Sequence, residues 1–283
     1  MSATRFVLTL SCPDRMGIVA AVANFLVQQQ CNIVDSAQFG DQENQRFFMR
    51  VCFEPGTLSR EDTQRAFDSI AKVFSMEWRI DDLSVKTRVC IMVSKFGHCL
   101  NDLLYRDGIG ALNIEIAAIV SNHRDFYQLA ASRNIPFHHL PVDANSKLKQ
   151  ESRLLEILET ERIDLVVLAR YMQVLSPQLC ERLAGRAINI HHSFLPSFSG
   201  ANPYSQAHTR GVKLIGATAH YVTAELDEGP IIEQDVTRAS HAMSVEDCAS
   251  AGREVECSVL ARAVDWHTQH RILLSGRRTV IFR

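Results

Sequence analysis

Asp164-Leu165-Val166-Val167-Leu168-Ala169 and Ala187-Ile188-Asn189-Ile190 are two short, apolar runs separated by a segment that contains Ser176-Pro177. Serine is a favoured helix cap, and proline fits the first helical turn, where its missing N–H is not needed. The stretch therefore reads strand, helix, strand. Apolar strands that alternate with helices imply a mostly parallel sheet covered on both faces. The rhythm continues outward. Toward the N-terminus, residues 88–94, 112–120 and 135–140 read as strands, with helices from about Cys99, within 122–133 and over 147–161. Toward the C-terminus, 212–222 and 231–236 read as longer strands suited to antiparallel pairing. A long helix over 244–270 carries Val245, Cys248, Ala249, Val255, Val259, Leu260 and Val264 as its apolar stripe, and 271–283 suits a hairpin about Ser275-Gly276-Arg277-Arg278.

The first part of the chain has a different pattern. Residues 4–11 alternate Phe6, Leu8 and Leu10, which predicts a half-buried strand. Asp14-Arg15-Met16-Gly17 leads into a helix with Ile18, Val19, Val22, Phe25 and Leu26 on one broad face. Strands over 32–39 and 47–53 flank the polar turn 40–45. Ser59 followed by Asp62 marks a capped helix start, and 76–83 closes as a strand. The order βαββαβ is ferredoxin-like. Residues 81–87 form a short polar junction, so two domains are expected, 1–83 and 84–283.

Composition narrows the functional classes. Of 283 residues, 46% are apolar and 22% charged, with a formal net charge of −2, a mix that suits a globular protein with no nucleic-acid face. No apolar run is long enough for a membrane span, and no secretory leader pattern precedes the first strand, so a cytoplasmic protein is expected. None of the eight cysteines forms a Cys-x-x-Cys pair. Of the eleven histidines, 138–139 and 191–192 are adjacent, which on a strand sends their side chains to opposite faces. His192 is therefore expected to turn away from His191. His267 and His270 suit a helix C-terminus, and no metal is expected. Gly108-x-Gly110 lacks a third glycine and precedes a strand, so neither a dinucleotide nor any other bound cofactor is expected.

Chemistry concentrates after the 187–190 strand. Asn189 and His191 are two apart and project together from its C-terminal end, where open α/β sheets place ligands. Asp227 lies further on, in Asp227-Glu228-Gly229-Pro230. Alone, each has an ordinary reading as a turn asparagine, a core histidine or a turn aspartate. Together they supply an amide donor for an oxyanion, an acid/base near neutral pH, and a carboxylate that orients it. His220 sits on the strand that leads to Asp227 and fits either a cleft or a packing role.

The Asn-x-His pair, the loop Leu195-Pro196-x-Phe198-x-Gly200, the run from Asp227 to Ile232 and the segment Ala169-Arg170-Tyr171-Met172-Gln173-Val174-Leu175-Ser176 together resemble the folate-dependent formyltransferase/hydrolase family, over about two hundred residues. That resemblance implies a Rossmann-like, mostly parallel domain acting on the formyl carbon of 10-formyltetrahydrofolate. Asn189, His191 and Asp227 would be catalytic, with Tyr171, Met172, Gln173, Val174, Leu175 and Gly200 in the folate site. Ser199 stands where several relatives carry lysine. The opening from Leu8 to Val19 resembles an ACT domain. This implies an amino-acid effector such as glycine or methionine near Asp14, Gly17, Asn32 and Ile33, and a homo-oligomer. The resulting fold class is α/β, a ferredoxin-like ACT domain followed by a formyltransferase-like domain. In ribonucleotide-using relatives, a glycine- and serine-rich turn after the first strand cradles a phosphate. Here it reads Ser94-Lys95-Phe96-Gly97-His98-Cys99-Leu100, a poorer nest with bulky Phe96. Water is therefore the expected acceptor, giving formate and tetrahydrofolate. The alternatives are transfer to a small amine or ribonucleotide, and an amino-acid sensor built on a retired enzyme.

Overall fold

The computed structural model describes residues 4–143, 146–196 and 203–283. The chain divides into two compact units. The residues before Thr87 join Gln269–Ser275 and Thr279–Arg283 in one, while Thr87–Thr268 and Gly276–Arg278 form the other. The expected second domain, 84–283, thus differs in its tail, most of which belongs to the first unit. The reason is a hydrogen-bonding requirement on the sheet of that unit, described next.

The first unit runs β1 (Phe6–Pro13), α1 (Ile18–Gln28), β2 (Asn32–Asp41), β3 (Arg46–Glu54), α2 (Arg60–Phe74) and β4 (Glu77–Asp82). Its sheet has the order β2-β3-β1-β4, all antiparallel. Ile18, Val22, Phe25 and Leu26 of α1 and Phe67 and Ala71 of α2 cover one face, meeting Phe6, Leu8, Leu10, Met49 and Val51. Ser59 caps α2 by accepting from the Asp62 N–H at 3.1 Å, a contact worth about 1 kcal/mol. The half-buried reading of the first strand does not hold. Val7 and Thr9, on the opposite face, are also buried. Arg50, facing Thr9 across the ladder, is 2% exposed. A buried guanidinium must be paired, and Arg50 donates to Asp35 at 2.8 Å and to the Gln269 carbonyl at 3.1 Å. The tail supplies that carbonyl, a partner some two hundred residues away in sequence that no local pattern reveals.

The second unit runs β5 (Thr87–Val93), α3 (His98–Gly108), β6 (Ile114–Ser121), α4 (Tyr127–Ser132), β7 (Phe137–His139), α5 (Lys147–Thr160), β8 (Leu165–Leu168), α6 (Pro177–Arg182), β9 (Ala187–His191), α7 (Pro203–Thr209), β10 (Leu214–Tyr221), β11 (Ile231–Arg238) and α8 (Val245–Thr268). The strand order is β11-β10-β9-β8-β5-β6-β7. Pairs from β9 to β7 are parallel, and β10 and β11 add antiparallel edges. Strand β8 is buried at all four positions, the two-sided burial its composition requires. Ser176 caps α6 through the Leu179 N–H at 3.2 Å, with Pro177 opening the helix. After β5 the chain moves to β6; after β8 it moves to β9 on the other side. The carboxyl ends of β5 and β8 therefore mark the switch point where such sheets open a crevice. Helix α8 departs from its expected stripe: Val245 is 40% exposed, whereas Glu256, mid-helix, is fully buried. A final pair, β12 (Ile272–Ser275) and β13 (Arg278–Ile281), forms the hairpin expected for the tail.

Candidate active site

Strand register builds the site. Asn189 on β9 lies directly opposite His220 on β10, and His191 lies opposite Thr218. Directly opposed residues of an antiparallel pair share a face. The Asn189 Nδ2 and His220 Nε2 atoms are 3.2 Å apart. The β10–β11 register shifts between Ala219 and His220, where β11 carries the extra residue Ile232. Asp227 lies in the loop that follows β10, with φ at 58°. That loop turns back tightly, since the Tyr221 N–H donates to the Pro230 carbonyl at 2.9 Å. A Cβ at position 229 would come within 1.7 Å of the Tyr221 carbonyl oxygen, so only glycine fits. Asp227 Oδ2 comes 3.1 Å from His191 Nδ1, and Oδ1 lies 3.7 Å from His220 Nε2. The first is a hydrogen bond; the second is too long for one.

The proton inventory follows from the partners. His220 Nδ1 faces the Tyr221 carbonyl oxygen at 2.8 Å and must donate to it. In the neutral ring Nε2 is then the acceptor, and it takes one N–H of Asn189. The second N–H of that amide remains for another acceptor. His191 donates through Nδ1 to the Asp227 carboxylate. Its Nε2 is buried and has no partner among the described residues. Burial works against the charge on Asp227. The contacts with the two histidines, His191 first, together outweigh it, and the carboxyl is held well below the usual carboxylate range. The arrangement holds one imidazole nitrogen and one amide N–H ready, side by side.

A cavity of ≈ 270 Å³ opens on these groups. Tyr171, Met172, Gln173, Val174 and Leu175, after β8, form one wall, and Val222 to Asp227 form another. The loop after β8 is anchored at its root. Ser94 N–H donates to the Arg170 carbonyl at 3.1 Å, and Ser94 Oγ accepts from the Met172 N–H at 3.0 Å. Burial of Tyr171 pushes its phenol up to about 12, so it serves as a neutral wall. Gly200 and Ser199 lie outside the described residues. His192 departs from expectation: β9 ends at His191, strand alternation stops there, and the two rings lie 5.2 Å apart.

Beside the cavity is a second set of groups that sequence reasoning missed. Glu256 is met by His98 Nε2 at 2.8 Å, Arg170 Nη1 at 3.2 Å and the Tyr204 hydroxyl at 2.5 Å. Burial opposes its charge, yet the His98 hydrogen bond and the Arg170 charge hold its carboxyl below the ordinary value. His98, Cys99 and Glu256 gather closely enough to suggest a metal site. The Arg170 guanidinium already shares the Glu256 oxygen that would ligate the ion, so the cluster suits a cation poorly. The sequence signals were His98 in the 94–100 turn, an arginine inside the Ala-Arg-Tyr-Met segment and a glutamate within an apolar helix stripe.

The proposed effector residues separate in one chain. Asp14 sits at the end of the sheet where its N–H donates to Gln45, while Asn32 and Ile33 pair with Glu54 and Phe53 at the other end. Within one protomer they do not form a single site.

The sequence model of the formyl transferase family matches residues 87–264, and that of the ACT domain matches 6–70. A formyltetrahydrofolate deformylase of Corynebacterium sp. (strain P-1) is 49% identical, over 99% of this chain and 98% of its own. The crystal structure of a formyltetrahydrofolate deformylase from Burkholderia mallei superposes with a TM-score of 0.95 at 52% identity, covering 99% of both chains. The chain belongs to the formyltetrahydrofolate deformylase family. Within this deformylase family fold, the second unit also resembles a transferase. Glycinamide ribonucleotide transformylase 1 of Symbiobacterium toebii aligns with a TM-score of 0.66 and 30% identity, over 70% of this chain and 95% of its own. The chain thus shares its scaffold with a deformylase over nearly its whole length and with a transformylase over 70% of it.

Proposed function

We propose that this chain hydrolyses 10-formyltetrahydrofolate to formate and tetrahydrofolate. The observation that carries the mechanism is His191 held on Asp227 at 3.1 Å with its Nε2 unspent, beside the amide of Asn189. The folate ring enters the cavity between Tyr171–Leu175 backbone and the loop that bears Asp227, and the formyl oxygen takes the free N–H of Asn189. Asp227, through the oxygen not bonded to His191, orients a water on the formyl carbon. Because its carboxyl is held low, Asp227 is a poor resting place for a proton, so it orients and polarises. His191 Nε2 takes one proton as the water oxygen bonds to carbon. The C–N10 bond then breaks, and His191 returns that proton to N10. The remaining water proton leaves as formic acid ionises. No cofactor beyond the folate substrate is used.

An amino-acid effector such as glycine or methionine is part of the same reading. Since Asp14 and Gly17 lie at the opposite sheet end from Asn32 and Ile33, one effector would touch all four only across two copies, in a homo-oligomer. No described helix is long and apolar enough to cross a membrane. That supports the cytoplasmic reading.

The test is an assay of purified protein with 10-formyltetrahydrofolate and no amine. Formate is released, and Asp227→Asn lowers the rate by about 10²–10⁴, the usual size of an acid/base loss. Formate that forms only when an amine is supplied would establish the transferase alternative, and an unaffected variant would remove Asp227 from the chemistry.

A further inference from the structure

The crevice at the carboxyl ends of β5 and β8 is where an open α/β sheet offers room for a ligand. Here the protein fills it with its own side chains. Arg170 follows β8 and is 7% exposed. Its guanidinium lies over the Phe96 ring at 5.4 Å and against Glu256 at 3.2 Å. His98, on the first turn after β5, and Tyr204, on α7, take the same carboxylate. The described lining of the reaction cavity includes Arg170 but nothing from the 94–100 turn. One side of the formyl position is thus an open, largely apolar wall for the folate. The other is a packed set of charges.

The backbone at Arg170 adds a second observation. Its φ is 67°, in the left-handed region that suits glycine, and holding a side chain there costs about 1 kcal/mol or more. Nη1 of its guanidinium is held by the Glu256 charge, while Nε is buried without a hydrogen bond among the described residues. Packing alone would be better served by glycine or a smaller apolar residue. An unfavourable backbone and an undersatisfied buried cation persist where they perform a task.

We propose that Arg170, locked by Glu256 with His98 and Tyr204, closes the second-reactant side of the cavity and so restricts the incoming nucleophile to water. The inference rests on the hydrolytic reading above. The closure acts by volume, since Arg170, Phe96, His98 and Tyr204 pack about Glu256 on the side an amine would approach, and by charge, since a guanidinium disfavours a protonated amine. Arg170, His98, Tyr204 and Glu256 are positioning residues for selectivity. The chemistry of the competing step is balanced in the same way. An amine nitrogen bonds to the formyl carbon, the C–N10 bond breaks, and the amine proton passes through His191 to N10.

The experiment measures the partition of the formyl group between water and an added amine. Purified full-length protein is given 10-formyltetrahydrofolate with hydroxylamine or glycinamide, and formate and N-formyl products are quantified against enzyme-free controls. Wild type yields formate and almost no formylated glycinamide. Arg170→Gly, which suits the left-handed backbone and empties the space, raises the ratio of formyl-amide to formate about tenfold or more, the scale at which small changes in pocket volume discriminate substrates. Tyr204→Ala raises it in the same direction. An unchanged ratio in both variants overturns the closure. Should neither variant fold, wild type decides alone. Formylation of glycinamide as ready as that of hydroxylamine would refute a size-limited site. Failure of wild type to release formate at all would instead strike the hydrolytic assignment.

Discussion

The second unit contains two clusters of the same ingredients, each a buried carboxylate with imidazole and a further donor, and they are built for opposite ends. Asp227 spends one oxygen on His191 and leaves the other near His220 at 3.7 Å, and among the described residues His191 keeps Nε2 without a partner. Glu256 is saturated by His98, Arg170 and Tyr204. The first keeps donors and acceptors in reserve beside a cavity. The second consumes them. Unspent hydrogen-bonding capacity next to space is what catalysis requires, because transition-state charge needs waiting partners. Saturated capacity gives rigidity and a closed wall.

The strongest way to break this contrast is at the open cluster. Asn189→Ala removes the amide held ready beside His191. The expected loss in kcat is about 10²–10³, typical for a single oxyanion donor, with only a modest loss of thermal stability, because among the described residues the Asn189 side chain pairs with the His220 ring alone. A variant that loses stability in step with rate would make this cluster structural as well. Rate by stopped assay and unfolding by circular dichroism on one preparation decide the matter.

Glu256→Ala should give the opposite signature. Removing one partner of a buried ion pair leaves Arg170 uncompensated and costs about 3–5 kcal/mol of stability, seen as a lower urea midpoint, while kcat with water falls by less than in the Asn189 variant. A Glu256 variant that stays as stable as wild type but loses formate release would erase the distinction between the clusters.

The smallest expected effect concerns acid. Both carboxyls are held below their ordinary values. A depressed carboxyl stabilises the fold fully above its unfolded value, near pH ~4, and that contribution is lost as pH falls through the folded value. Melting temperatures of wild type and Asp227→Asn should therefore run parallel from neutral pH down to about 5 and converge in stronger acid. Glu256→Gln should converge with wild type in the same direction, since the Glu256 carboxyl is also held below its ordinary value. Curves that diverge as pH falls would reverse the sign of the linkage.

Local pattern carried much of the architecture. The apolar run at β8, the Ser176-Pro177 cap and the βαββαβ order of the first unit are short-range facts, and short-range physics decides them. Asn189 and His191 were legible for the same reason, since residues two apart on a strand share a face. His220 remained ambiguous because its role depends on register. Only the pairing of β9 with β10 places it opposite Asn189, and only the tight turn that Gly229 permits returns Asp227 to both histidines.

The chain itself therefore determined the element types, the two-part organisation and the shared face of Asn189 and His191, all of which rest on periodicities of a few residues. Tertiary structure alone decided that Glu256, an unremarkable helix position, is a buried hub, that Arg170 fills the crevice between β5 and β8, and that the C-terminal tail completes the first unit through Arg50. The physical reason is the same in each case. Whether a charge is solvated, paired or orphaned depends on neighbours distant in sequence, and the energy of a buried charge is set by those neighbours.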